Sequence, residues 1–261
     1  MSASTIDTPT PVSPDEIPFT PFQALIGVVA RPRSSFERLR DAEWGHWWVV
    51  FVIALIALVL STVATVPIQA QASQAAFEAQ MSQMEGLDEA QLAQVEQTQA
   101  IFSSTAVLSA IGTATGIVGL LLGYGIRTGV LFALGMVLGG QANFKQVWRM
   151  SVWTTLPMAV GTFVSAIAIV ATGQLPAKGL TFALTGPELA AASPLLIAVL
   201  GRIDIYTIWS LVLIAVGLRA TARLSTAKSG LIAAAFWLLG TGWAVATAAI
   251  GQALSSTFGG G

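Results

Sequence analysis

Long apolar blocks alternate with short polar segments along this chain. Five of the blocks hold about 20 residues or more, enough to cross the roughly 30 Å hydrocarbon core of a bilayer as a helix. The pattern therefore predicts an all-α, polytopic membrane protein built as a five-helix transmembrane bundle. The predicted spans are residues 47–69, 104–138, 147–172, 194–218 and 229–254.

Prolines and block lengths refine these spans. Pro67 is expected to end the first span and Pro157 to kink the third, because proline cannot donate a helical hydrogen bond. The second block could hold two short spans, but no turn signal divides it. At 1.5 Å per residue the block is about 50 Å long. We therefore expect one long helix that projects beyond the bilayer.

Positive charge is concentrated in alternate connecting segments. It lies before the first span, between the second and third, and between the fourth and fifth, whereas the third connecting segment has only Lys178. By the positive-inside rule, this distribution predicts a cytosolic N-terminus and a C-terminus outside. The residues concerned are Arg31, Arg33, Arg38, Arg40, Lys145, Arg149, Arg219, Arg223 and Lys228.

The segments around the spans have their own composition. Residues 1–21 are rich in Pro, Ser and Thr and are expected to form a disordered cytosolic tail. Residues 22–46 mix apolar and basic positions, which favours a juxtamembrane amphipathic segment on the inner leaflet. Within the membrane domain, 47–256, residues 70–103 are expected to form an outside loop of two helical arms. Residues 257–261 would be a flexible Gly tail.

Composition limits the chemistry available to the chain. The mean hydropathy is +0.75, 54% of residues are hydrophobic and only 10% are charged, against about 25% charged in a soluble domain. The net charge of -1 indicates no nucleic-acid partner. With no cysteine and one histidine, we expect no catalytic residues, no cofactor, no metal site and no enzymatic activity.

Glycines repeat along one face of the second span. Gly112, Gly116, Gly119 and Gly123 follow i, i+4, i+7, i+11, which lets a neighbouring helix backbone approach closely. Packing within the chain is the preferred interpretation, and a homodimer seam is the alternative. The oligomeric state does not follow from the sequence.

Asp204 is a carboxylate inside the fourth apolar block, where a charge is costly and needs a partner or a task. Arg127 lies on a face close to the glycine stripe, about 16 Å from the cytosolic end of its span, and Asp204 lies about 21 Å from that end of its own. The matching depths predict an intramembrane ion pair between Arg127 and Asp204. Arg202 is the second candidate partner, through a neighbouring helix. A purely structural role for the Arg127–Asp204 pair is favoured over a proton- or ion-coupled site.

Aromatic residues cluster near the predicted cytosolic ends of the spans. Such residues anchor helices at the headgroup level, and the single histidine lies among them. The predicted interface anchors are Trp44, His46, Trp47, Trp48, Trp148 and Trp153.

Three blocks, taken together, resemble the Yip-domain (Ypt/Rab-interacting protein) family, and the third resembles a stretch of its prokaryotic type. They are ARPRSSFERLR at 30–40, LGGQANFKQVWR at 138–149 followed by Leu156 and Pro157, and IDIYTIWSLVLIAVG at 203–217. The resemblance extends over about residues 22–250 and implies five spans, a cytosolic N-terminus and no known catalysis. The chain lacks the Asp-Leu-Tyr-Gly-Pro signature of eukaryotic members, so a Rab-type GTPase partner is not expected.

The favoured functional hypothesis is a non-enzymatic integral membrane scaffold or adaptor protein of the Yip type, acting in membrane organisation or trafficking. It would lie in the plasma (inner) membrane of a prokaryote, in contact with the lipid bilayer. Its protein-binding surfaces would be the cytosolic loops 139–149 and 219–228. The alternative is a small proton- or ion-coupled transporter or channel centred on Arg127 and Asp204.

Overall fold

The computed structural model describes residues 20–42, 45–81, 94, 97, 103–184 and 186–258. The described part of the chain is helical apart from short connecting segments. The helices are α1 (Pro21–Ala30), α2 (Pro32–Asp41), α3 (Trp47–Met81), α4 (Thr105–Val137), α5 (Phe144–Trp153), α6 (Leu156–Thr172), a 3-10 turn (Gly179–Ala183), α7 (Gly186–Ala191), α8 (Pro194–Leu200), α9 (Ile205–Ala222) and α10 (Thr226–Phe258).

The prediction of five spans is confirmed. Within the described residues, five helical segments are long and apolar enough to cross a membrane. Successive spans run in opposite directions, and α3 packs along α4 and α6 while α9 packs along α10. These segments are Trp47–Ala79, Thr105–Val137, Phe144–Thr172, Ile205–Ala222 and Thr226–Leu254.

The first span does not end at Pro67. Helix α3 continues through this proline to Met81, although proline cannot donate the usual hydrogen bond. An apolar environment supplies no water to satisfy freed backbone groups, and this favours a continuous helix over a break. Residues 70–81 of the predicted loop 70–103 are thus an extension of α3. The rest of the loop, apart from a few residues, lies outside the described residues, as do most of the N-terminal tail and the last glycines.

The third and fourth spans are interrupted. The third consists of α5 and α6, with Thr154 and Thr155 at the junction and Pro157 at the start of α6, where a proline is tolerated. The predicted kink thus lies next to its proline. The fourth span was predicted to be continuous over 194–218. Instead, α8 ends at Leu200 and α9 begins at Ile205.

The two N-terminal helices are part of the protein core. Phe36 and Leu39 of α2 are 0% and 1% exposed, and α2 packs against α5 and α9. The side chains expected to rest on lipid are therefore buried in protein. On α1, by contrast, Phe22 and Ile26 remain exposed. The basic and apolar mix of 22–46 accordingly reflects a helix pair that closes one end of the bundle.

Candidate functional site

Arg127 lies between the spans and is held by neutral groups. Its Nη2 donates to the Thr154 Oγ1 at 3.0 Å, the Thr154 carbonyl oxygen at 3.5 Å and the Ser210 Oγ at 2.9 Å. The guanidinium carbon lies 5.0 Å from the ring centroid of Phe236 on α10, a cation–π contact. The Nε is buried without a hydrogen-bond partner. The cation is thus positioned by three spans but is not neutralised by these contacts.

The break in the third span supplies the acceptor for Arg127. Residues just before Pro157 cannot complete a regular helix, and freed carbonyl groups must find other donors. The Thr154 carbonyl oxygen accepts from Arg127 and, at 2.7 Å, from the Ser210 hydroxyl. Pro157 signals this break in the sequence. Nothing in the sequence singled out Ser210 or Phe236 as the other neighbours of Arg127.

The Arg127–Asp204 ion pair is not formed in the structure. The Asp204 carboxylate caps α9, accepting from the Thr207 backbone N–H at 2.8 Å and from the Thr207 hydroxyl at 2.6 Å. Arg127 contacts Ser210, which lies six residues beyond Asp204 and hence about 9 Å further along the helix. The contact of Arg127 on α9 thus lies more than one turn from Asp204, whereas the depths predicted from the sequence agreed within one turn. The signal missed in the sequence was a capping aspartate after Gly201.

Arg202 belongs to the turn between α8 and α9 and reaches α10. Its Nη2 lies directly over Gly240, in the space that a Cβ would occupy. The indole Nε1 of Trp237 donates to the Arg202 carbonyl oxygen at 3.3 Å. Arg202 is exposed and, within the described part of the chain, makes no ion pair.

Both arginines line one cavity of about 800 Å³ between α3, α4, α6 and α10. Its walls are mainly apolar, with Thr155, Thr162 and Tyr124 as further polar groups. Ile126 and Trp243 in its lining are 67% and 74% exposed, so the cavity opens at the side of the helix bundle. The cavity is therefore an apolar cleft carrying two cations.

The glycine stripe has two functions in the structure. A Cβ on Gly112 would lie 3.1 Å from Thr62 and one on Gly116 2.7 Å from Leu58, so these glycines allow α4 to pack against α3. Gly119 and Gly123 have nothing within 4 Å of a Cβ position and line the cavity. Half of the stripe is thus packing surface, and the other half leaves space.

The predicted aromatic anchors separate into different environments. Trp48 is 50% exposed, as an anchor in the bilayer interface would be. Trp47 and Trp148 make an edge-on contact at 5.9 Å. Trp153 is fully buried, and its Nε1 donates to the Gly45 carbonyl oxygen at 2.9 Å. This hydrogen bond connects α5 to the turn that precedes α3, so Trp153 does not face lipid.

The remaining two predicted anchors are His46 and Trp44. His46 has a positive φ of 46° in the turn that precedes α3. Trp44 lies outside the described residues. Nor do the described segments contain a group of three or more His, Asp or Glu side chains that could hold a metal ion.

The two loops predicted as contact surfaces lie side by side. The Gln141 backbone N–H donates to the Ala222 carbonyl oxygen at 3.1 Å, and the Lys228 Nζ donates to the Leu138 carbonyl oxygen at 2.8 Å. We call this part of the molecule, with α1 and α2, the basic end. Its exposed cations are Arg31, Arg33, Arg38, Lys145, Arg219, Arg223 and Lys228.

Helix α2 is tied to the same end. The Arg40 Nη1 donates to the Ala220 carbonyl oxygen at 3.3 Å, and Arg40 also pairs with Asp41 at 2.7 Å. The hydrogen bond from Arg40 lowers the pKa of the Asp41 carboxyl below its ordinary value, and the positive charge adds to the effect.

The comparison with family models decides the relationship. The model of the Yip1 domain matches residues 26–247, most of the chain. The chain belongs to the Yip1 family. No curated protein and no solved structure matches it significantly. Members of the Yip1 family are not known as enzymes.

The three sequence blocks that resembled the Yip family meet in space. The first contributes α2, the second the loop before α5 and part of α5, and the third most of α9, and these helices pack on one another. A Cβ on Gly217 would lie 2.6 Å from the Met150 Cγ and 3.6 Å from the Phe36 Cδ2. In this Yip1-family chain the helices to which the three blocks contribute therefore pack on one another.

Proposed function

We propose that this Yip1-family protein is a non-enzymatic membrane scaffold that binds a partner protein at its basic end. The observation that carries the proposal is the joining of the loops 139–149 and 219–228 into one exposed surface. Hydrogen bonds hold both loops in place, so the surface is fixed before a partner arrives, which reduces the cost of ordering it on binding.

Charge gives this surface its chemistry. Exposed arginines and lysines outnumber the carboxylates of the described residues there, which are Glu37 and Asp41. Phe144 adds an exposed aromatic side chain beside Lys145. A basic surface with an aromatic contact suits an acidic partner or an acidic segment of one. We propose that this end faces the cytosol of a prokaryotic cell, in accordance with the positive-inside rule.

A matched pair of charge reversals tests the scaffold role. Lys145→Glu alters the basic end, and Lys178→Glu makes the same change in the loop at the opposite end; both side chains are exposed. After gentle extraction and quantitative mass spectrometry, we expect partners enriched with the wild type and Lys178→Glu to be lost with Lys145→Glu, because like charges across an interface are strongly unfavourable. Partners that show no dependence on Lys145, or no enriched partner, would refute this role.

The proposed orientation has a separate test. The chain has no cysteine, so single reporters can be introduced at Ala227 on the basic end and Gln174 at the other end, both exposed. A membrane-impermeant maleimide should label Gln174→Cys in intact cells and Ala227→Cys only after permeabilisation. The opposite labelling pattern would reverse the orientation and place the basic end outside.

The transporter alternative receives less support. It was centred on an Arg127–Asp204 pair, and in the structure each of these residues is hydrogen-bonded to other groups. The cavity beside Arg127 does not include Asp204 among its lining residues. A coupled site would need the carboxylate to reach the cation or the cavity.

A further inference from the structure

Two guanidinium groups lie on neighbouring turns of one face of α10. Arg127 stacks on Phe236, and Arg202 lies over Gly240. These two positions are related by i, i+4, so their backbones are about 6 Å apart along the helix. Arg127 comes from α4 and Arg202 from the turn before α9, so the sequence gives no sign that the two cations line one cavity.

The described residues place no carboxylate in ion-pair contact with either arginine. Asp204, which follows Arg202 by two residues, is used to cap α9. The hydrogen bonds of Arg127 come from Nη2 and go to neutral oxygens, and its Nε is buried without a partner. Two positive charges line this cleft, and neither has a carboxylate partner among the described residues. An anion bound in the cleft would supply the missing negative charge and could accept charge-assisted hydrogen bonds from the guanidinium groups.

The rest of the cavity indicates which kind of molecule would bear the anionic group. Its volume of about 800 Å³ lies within the roughly 300–1,000 Å³ of small-molecule sites. Leu58 and Leu120 line it, and Gly119 and Gly123 leave room along α4 for a hydrocarbon chain. Ile126 and Trp243 are exposed on helices that are long and apolar enough to cross a membrane, so an opening on this side would face lipid. The entry route from lipid and the apolar walls suit an amphiphile better than a free ion.

We propose that this cleft binds one anionic phospholipid. The phosphate lies between Arg127 and Arg202, and an acyl chain follows the apolar wall past Gly119 and Gly123. Arg202, the more exposed of the two, captures the headgroup, and Arg127 holds it within the bundle. The site is independent of the partner surface at the basic end.

Native mass spectrometry of the full-length protein released from nanodiscs tests this site. The nanodiscs contain an equimolar mixture of phosphatidylcholine and phosphatidylglycerol. We expect the wild type to retain one phosphatidylglycerol in preference to phosphatidylcholine. Arg202→Gln should reduce that retention on the order of tenfold, because a charge-assisted hydrogen bond is lost. Arg219→Gln, which removes an exposed charge at the basic end, should retain the lipid as the wild type does. Equal loss in the two variants would refute the site.

A steric pair tests the geometry without changing charge. In Gly240→Ala the new methyl group takes the place of the Arg202 Nη2, whereas Gly242→Ala has open space around its Cβ. We expect weaker retention only in Gly240→Ala. If both alanine variants retain the lipid fully, the arginine does not act from this position. A final arm adds inorganic phosphate to the wild type. If phosphate displaces the lipid, the cleft is a free-anion site and the lipid proposal fails.

Discussion

Replacing Phe36 by alanine is expected to destabilise the protein by about 3–5 kcal/mol. Phe36 is 0% exposed and packs between α5 and α9, with its Cδ2 3.6 Å from the Cβ position of Gly217. Truncation removes the transfer free energy of the ring and leaves a cavity that the surrounding helices cannot fill completely. If α2 rested on the bilayer surface instead, the ring would face lipid or detergent and the change would stay within about 0.5 kcal/mol.

Phe22→Ala provides the matched control for this measurement. Phe22 belongs to the adjacent helix α1 and is 70% exposed, so its truncation should cost little. Both variants can be unfolded in mixed micelles by increasing the fraction of SDS and followed by circular dichroism. Unfolding of Phe36→Ala at a clearly lower SDS fraction than Phe22→Ala supports docking of α2 in the bundle. Identical midpoints for the two variants would show that the N-terminal helices are not part of the core.

Three further predictions follow from contacts at the helix ends and crossings. Gly217→Ala should cost about 1–3 kcal/mol, because the new methyl group would meet the buried Met150 side chain, whereas Gly230→Ala on α10 has open space and should not destabilise; the same SDS titration compares them. Asp204→Ala should cost about 0.5–2 kcal/mol and Asp204→Asn only a few tenths, because asparagine is an equally good helix cap; equal losses would mean that the charge matters more than the acceptor. Asp41 has a lowered pKa, so its pairing with Arg40 stabilises the fold above the ordinary carboxyl pKa of about 3.9, and this contribution is lost as the pH falls below that value. Both groups are near the surface, so this contribution should stay below about 1 kcal/mol. In Arg40→Gln the pKa of Asp41, followed by NMR titration, should rise toward its ordinary value, because the hydrogen bond from Arg40 is the main cause of the lowering.

The number and type of the membrane helices could be predicted because hydropathy depends on composition alone. The ends and breaks of those helices could not. Pro67 and Pro157 have the same tendency to break a helix. Yet α3 continues through Pro67, whereas the third span is interrupted next to Pro157. The difference lies in the surroundings: near Pro157 the freed Thr154 carbonyl oxygen finds donors in Arg127 and Ser210. Such donors come from other helices, and a single chain segment does not reveal them.

The location of the N-terminal helices shows the same limit. Phe36, Leu39 and the surrounding arginines fit an interfacial helix and a docked helix equally well, because both bury one apolar face. The two cases differ only in the surface against which the apolar face of α2 packs. Here that surface includes Met150, which directly follows the second sequence block, and Gly217, which ends the third. The glycine in α9 provides the room that Phe36 and Met150 need, and its role is visible only once the three helices are packed.

The break in the fourth span explains both the missing ion pair and the pair of cations. In a continuous helix, Asp204 would have a free carboxylate. Because α9 starts at Ile205, that carboxylate satisfies the Thr207 backbone N–H, and Arg202 is left in the preceding turn, from which it reaches Gly240. The cap and the second cation therefore depend on the same turn. Asp204→Ala, which loosens the cap, should also weaken retention of phosphatidylglycerol, whereas Asp204→Asn should preserve it. If Asp204→Asn instead retained clearly more phosphatidylglycerol than the wild type, the charge of the carboxylate would be acting on the cations directly and not through the turn.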